Sequence, residues 1–160
     1  MDRVEDSMNA RSRIRAIESR DVERVLAIQG SCPEVAQWIA EDYMRVANGE
    51  MSGWVAVEDP RVVGFLVARR IVSDIEILNL AVAEDSRRRG FGALLLRSSL
   101  EWAGEFRAEN AILEVRESNL AALHFYEQHG FKSIARRARY YVNPVDDALV
   151  LSKPLLPPQH

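Results

Sequence analysis

Arg87-Arg88-Arg89-Gly90-Phe91-Gly92 stands between an apolar run, Ile75 to Val82, that reads as a strand and a run opening Ala93-Leu94-Leu95-Leu96 that reads as a helix. The order is strand, arginine- and glycine-rich turn, then helix N-terminus. Helix N-terminal N–H groups point outward without intrahelical partners, and the helix dipole adds positive potential there. Gly90 and Gly92 let the backbone approach an anion closely, and the arginines add charge-assisted donors, so the segment suits a pyrophosphate. The familiar nucleotide loops fit badly. A Walker loop needs Gly, four residues and then Gly-Lys-Ser/Thr, and no such run exists. The dinucleotide fingerprint needs a third glycine where Leu95 stands. What fits is Arg-x-x-Gly-x-Gly, Arg87 through Gly90 to Gly92; the bland alternative for these six residues is an ordinary glycine turn with solvated arginines.

A second segment follows one helix later: Leu113-Glu114-Val115-Arg116-Glu117-Ser118-Asn119, then Phe125-Tyr126 and Gly130-Phe131. With Asn79-Leu80-Ala81-Val82 and the arginine-glycine loop, these residues closely resemble the GNAT acetyltransferases. Within that family they look most like the RimI-type enzymes, which acetylate the N-terminal alanine of a small-subunit ribosomal protein. Arg139-Tyr140-Tyr141 and Asp147-Ala148-Leu149-Val150-Leu151 add to the likeness, which spans about Arg13 to Leu155.

A chain of 160 residues reads as one domain, long enough to bury on the order of 70% of its unfolded surface. The expected boundaries are a loose polar tail over 1–12, a single domain over 13–155 and an untethered Pro-rich end from Pro154, with 156–160 as tail. With 48% hydrophobic and 28% charged residues it has the composition of an ordinary globular protein. A net charge of −3 argues against general nucleic-acid binding. The single cysteine, Cys32, excludes an internal disulfide and any Cys-x-x-Cys site, which is compatible with a cytoplasmic location. No apolar run approaches the roughly 20 residues that span a bilayer.

Periodicity predicts a strand at 13–17, a helix at 21–31, and a second helix from Pro33 to 47 with Val35, Trp38, Ile39, Tyr43 and Val46 on one apolar face. Strands follow at 54–58, 62–71 and 74–82, with a turn at Asp59-Pro60-Arg61. A helix at 92–106, a strand at 111–115 and a helix at 119–128, stopped by Gly130, precede a last pair of strands. The order β-α-α-β-β-β-α-β-α-β-β implies an α/β (α+β) mixed sheet, mostly antiparallel, with helices on both faces. It is also the order expected of a GNAT fold.

The resemblance implies acetyl-CoA as cosubstrate and assigns roles by position. Glu114 matches the general base. Alternation along Leu-Glu-Val turns its side chain away from its apolar neighbours, although a solvated carboxylate or a salt bridge to Arg116 would give the same pattern. An α-amine has a pKa near ~8, so a modest base suffices. Tyr126 matches the general acid, and its alternative is a tyrosine packed beside Phe125 and Phe131. The backbone of Arg88, Arg89, Gly90, Phe91, Gly92 and Ala93, together with Arg87, is expected to cradle the pyrophosphate. Leu80, Ala81 and Val82 are expected to pair with the pantetheine arm, one of their N–H groups polarising the acetyl carbonyl. Asn119 would contact the same arm, or cap the next helix.

His124 and His129 are five apart on one helix and form no metal set; no metal is expected. Cys32 has no evident base partner. Arg136, Arg137 and Arg139 form a basic run that is either a solvated face or a contact for an acidic partner or ribosomal RNA. Cys32-Pro33-Glu34-Val35-Ala36-Gln37-Trp38 departs from the Phe-Pro-Trp-Ser of the best-known RimI proteins, in the turn that shapes their acceptor groove with the loop at 143–146. Glu34, Glu41 and Asp42 would suit a basic N-terminal peptide. The expected activity is direct acetyl transfer to a protein N-terminus, such as the N-terminal alanine of a ribosomal protein, by a monomer or weak dimer without direct nucleic-acid contact. The alternatives are acetylation of a small amine and a non-catalytic acyl-CoA-binding module.

Overall fold

A computed structural model describes residues 12–157. Seven strands form one sheet: β1 (Ser12–Ala16), β2 (Ser52–Glu58), β3 (Arg61–Ile71), β4 (Asp74–Val82), β5 (Asn110–Arg116), β6 (Lys132–Val142) and β7 (Val145–Pro154), in the spatial order β1-β2-β3-β4-β5-β7-β6. Four α-helices connect them: α1 (Val22–Gly30), α2 (Ala40–Ala47), α3 (Phe91–Glu105) and α4 (Leu120–Gln128). Every neighbouring pair is antiparallel except β4 and β5. The alternation of elements is the one the periodicity predicts.

Both faces of the sheet are covered, and β3 shows why its sequence is nearly all apolar: Val62 to Ala68 is buried throughout. Val25, Ile28, Tyr43 and Val46 from α1 and α2 pack on one face against Val55, Phe65 and Val67. Phe91, Leu95, Leu96 and Ala103 from α3, with Tyr126 from α4, pack on the other against Ala56, Leu66, Ile75 and Leu113. A helix must bury its apolar stripe against a partner layer, and here each pair of helices does so on its own side.

The parallel pairing of β4 with β5 is short. Only Ile75 with Ala111 and Glu76 with Ile112 are in register, and beyond them the two strands separate. A bulge at Leu78 adds to this break, since Val67 pairs with Asn79 while Ala68 pairs with Ile77. The extra residue shifts the side-chain phase. Ile75 and Ile77 pack on the α3 side, whereas Ala81, in step with them by count, packs on the α1–α2 side.

Three expectations are corrected. The helix predicted from Pro33 begins only at Ala40. The amide of Gln29 takes both backbone groups of Trp38, accepting its N–H at 3.0 Å and donating to its carbonyl at 2.8 Å. Asp42 accepts the N–H of Ile39 at 3.1 Å, which caps the helix there, and Ile39 is exposed rather than on the apolar face. At the N-terminal end Ser12 already belongs to β1, opposite Glu58; the remainder of the expected tail, 1–11, lies outside the described residues, as do 158–160. Nor is the Pro-rich end free from its start: Pro154 pairs with Asn110 in the sheet, and Leu155 N–H donates to Glu109 O at 2.8 Å.

Candidate active site

The separation of β4 from β5 opens a cleft of about 490 Å³. Its floor carries Leu78, Leu80, Glu114 and Tyr126; one wall is the Pro33–Gln37 loop, and the other carries Tyr140, Tyr141 and Asn143.

Backbone geometry decides which atoms of β4 face it. Ala83 N–H donates to Val63 O at 2.7 Å, and Val82 lies opposite Gly64. Antiparallel pairs alternate between bonded and non-bonded, so Ala83, Ala81 and Asn79 turn their N–H and C=O groups to β3. Leu80 and Val82 therefore direct theirs toward the gap. Consistent with this, Val82 O accepts from Arg87 Nε at 3.1 Å, and Leu80 N–H donates to Asn79 Oδ1 at 3.2 Å. Ala81 is the correction among the three strand residues assigned to the pantetheine arm. Its backbone is engaged with β3 and its side chain is buried among α1 and α2.

The arginine-glycine loop leads from β4 into α3. Arg88 (φ 62°) and Gly90 (φ 87°) adopt the left-handed conformation, which turns the chain sharply into the helix. The first intrahelical bond runs from Leu94 N–H to Gly90 O at 3.1 Å, and no side chain caps the end. The N–H groups of Phe91, Gly92 and Ala93 thus have no partner among the described residues, and they form a cradle of donors at a positive helix end. A Cβ at Gly92 would stand 3.5 Å from the Phe125 ring, so glycine keeps that cradle shallow. These groups fit the pyrophosphate of coenzyme A. The three arginines divide their work. Arg89 pairs with Glu58 (Nη1 to Oε1 2.9 Å, with a second contact through Nη2), which holds that carboxyl below its ordinary range. Arg87 donates to Val82 O and, through Nη2 at 2.9 Å, to the Sγ of buried Cys32. Arg88 is exposed and makes no side-chain hydrogen bond among the described residues.

Glu114 and Tyr126 both line the cleft. Glu114 alternates with buried Leu113 and Val115, as its strand position requires, and its ion pair is with Arg137 rather than Arg116: Arg137 Nη1 donates to Oε1 at 2.8 Å. Arg116 instead donates to Pro144 O at 3.0 Å and lies 4.1 Å over the Tyr141 ring. Tyr126 is buried edge-on against Phe125 and Phe131, and burial pushes its phenol above its ordinary value, so it carries its proton. Asn119 caps α4 by accepting Ala122 N–H at 3.2 Å, and it also lines the cleft.

Two arginines of the basic run are paired locally, Arg136 with Glu117 and Asp147 and Arg137 with Glu114, while Arg139 bonds Asp147 through its backbone N–H. Asp42, considered as acceptor-binding charge, is used as the α2 cap. Residues quoted in the sequence without a role at the site are Arg137, the partner of Glu114, the wall tyrosines, and Asn79. A signal for Asn79 existed, since it is a lone amide inside the apolar run Ile77-Leu78-Asn79-Leu80-Ala81.

The acetyltransferase (GNAT) family model matches residues 15–131. An N-alpha-acetyltransferase of Sulfurisphaera tokodaii is 33% identical over 119 residues, 66% of this chain and 71% of that protein. The [ribosomal protein bS18]-alanine N-acetyltransferase of Haemophilus influenzae is 28% identical over 134 residues, covering 82% and 88%. The crystal structure of the ribosomal-protein-S18-alanine N-acetyltransferase from Escherichia coli superposes with a TM-score of 0.81 at 22% identity, covering 93% of this chain and 97% of that one. With a split sheet, an anion cradle at α3 and a sequence match across most of its length, the chain belongs to the GNAT acetyltransferase family and is an N-acetyltransferase that draws its acetyl group from acetyl-CoA.

Proposed function

We propose that the acceptor is a protein N-terminal α-amine, with the N-terminal alanine of a ribosomal protein as the leading candidate. The observation that carries this reading is the shape of the cleft. Its lining continues from Tyr126 and Glu114 to exposed residues on two separate walls, Glu34 on one and Tyr140 on the other, so a chain of several residues can lie between them. The names of the relatives, which act on protein N-termini, point the same way.

Acetyl-CoA supplies the activated thioester, held by the Phe91–Ala93 N–H groups, with Arg87, Arg88 and Arg89 at its loop and Leu80, Val82 and Asn119 along its arm. Glu114, directly or through one water, takes the proton from the attacking amine. The gap-facing N–H of Val82 donates to the acetyl oxygen as charge develops there. Tyr126, a phenol that carries its proton at neutral pH, gives that proton to the leaving sulfur as the C–S bond breaks. No cysteine lines the cleft among the described residues, and Cys32 Sγ is turned to Arg87, which favours direct transfer over a covalent enzyme intermediate.

The test is acetyl transfer to a competing mixture read by mass spectrometry. It contains peptides beginning with Ala, Ser and Met, the ribosomal N-terminal peptide of the same organism, a lysine peptide and several small amines. Selective labelling of the alanine-started ribosomal peptide at its α-amine is the expected result. Labelling confined to small amines would move the enzyme to another branch of the family.

A further inference from the structure

The Pro33–Gln37 wall has no helix or strand of its own, yet it must stand at a fixed distance from the floor for an acceptor to be gripped. Buried amides supply that fixity. Asn79, 5% exposed, donates from Nδ2 to Ala36 O at 2.9 Å and to Tyr43 Oη at 3.1 Å, while its Oδ1 accepts Leu80 N–H. Tyr43, fully buried, donates its hydroxyl to Gln29 Oε1 in a hydrogen bond, and Gln29 grips Trp38 through both backbone groups. The chain of contacts joins β4, the loop, α1 and α2. Only a side-chain amide offers two donors and an acceptor in this plane: aspartate would set a carboxylate against Ala36 O, and leucine would leave that carbonyl unpaired. The bulge at Leu78 is what carries Asn79 to this face.

We propose that Asn79 is a positioning residue that ties the acceptor-side wall of the cleft to β4, and so sets acceptor affinity without touching either substrate's reacting atoms. The proposal rests on the reading that the acceptor lies between the Pro33–Gln37 and Tyr140–Asn143 walls. Its test compares Asn79→Ala with Tyr140→Ala, a change on the opposite wall. Acceptor KM and kcat are measured at saturating acetyl-CoA, acetyl-CoA Kd by calorimetry, and hydrogen exchange over residues 33–39.

Loss of the Asn79 anchor is expected to raise acceptor KM about tenfold, leave acetyl-CoA Kd within about threefold, and speed exchange at Ala36 to Ile39. A KM shift with Tyr140→Ala but none with Asn79→Ala overturns the role of Asn79 and leaves the acceptor path standing. An equal rise in acetyl-CoA Kd also overturns it, by assigning the residue to the general integrity of β4. No KM shift with either variant removes the acceptor path, and with it this role. Should Asn79→Ala fail to fold, Tyr43→Phe carries the test, because it removes one hydroxyl from the relay at nearly constant volume. A rise in acceptor KM of about threefold is expected, and an unchanged KM with unchanged exchange at 33–39 overturns the proposal.

Discussion

Glu114 owes its position to alternation along β5: Leu113 and Val115 are drawn into the core, so the carboxylate between them emerges into the cleft, where Arg137 steadies it. If it is the base, its removal should matter most when the amine is largely protonated. Glu114→Gln is expected to lower kcat/KM about 100-fold near pH 7, with the deficit narrowing toward about pH 9 as an α-amine of pKa near 8 loses its own proton. A pH–rate profile of both enzymes checks this, and an unchanged rate across that window would remove Glu114 from the chemistry. Tyr126 should behave differently. Its ring belongs to the core with Phe125 and Phe131, so Tyr126→Phe keeps the packing and deletes only the proton donor. A fall in kcat of about 100-fold is expected, with acetyl-CoA Kd unchanged by calorimetry.

At the scale of elements, the β6–β7 hairpin is held by carboxylates whose charge depends on pH. Asp146 accepts from Ser118 Oγ at 2.5 Å and from the N–H groups of Ser118 and Asp147. Asp147 accepts Arg139 N–H at 2.9 Å and pairs with Arg136. Both carboxyls are thereby held below their ordinary range, by Ser118 first for Asp146 and by the Arg139 N–H first for Asp147. A depressed folded value means that the stabilisation is fully present above the unfolded value of about 3.9 and is lost as pH falls through the folded one. Hydrogen exchange corrected for intrinsic rates should therefore show residues 132–150 loosening as pH falls below about 4, ahead of β2 and β3. Asp147→Asn should flatten that dependence. The same hairpin shows where sequence reading stops. The β4–loop–α3 unit was legible because its strand, turn and helix are consecutive and each residue's task is local. The pairing of Arg137 with Glu114 was not, because it depends on the register of β6 on β7, which shifts twice, between Ser133 and Ala135 and between Arg137 and Tyr141. The loop before α2 misled for a related reason. Val35, Trp38 and Ile39 have helical spacing, but a side chain from α1 captures the backbone of Trp38, a contact between elements that periodicity does not encode.

The molecule as a whole is two sheet halves, β1 to β4 and β5-β7-β6, hinged on the two parallel pairs at Ile75–Ala111 and Glu76–Ile112 and backed by the core shared with α3 and α4. A cosubstrate seated between the halves binds only where both are in place, so acetyl-CoA should stabilise the folded state by mass action. At about 100 times its Kd the gain is about 2.7 kcal/mol, which for a domain of this size corresponds to a rise in Tm of roughly 5–10 °C. Gly92→Asp separates this linkage from the fold. A Cβ there meets the Phe125 ring at an ordinary 3.5 Å, and an acidic residue in the first turn of α3 suits the helix dipole, so the variant should fold with a Tm near that of the parent. Its carboxylate, however, would occupy the donor cradle and repel the pyrophosphate. Thermal unfolding with and without acetyl-CoA should show the rise in the parent and none in Gly92→Asp. An undiminished rise in the variant would move the cosubstrate away from the α3 N-terminus, whereas loss of the unliganded fold would mean that the glycine serves packing against Phe125 rather than the cradle.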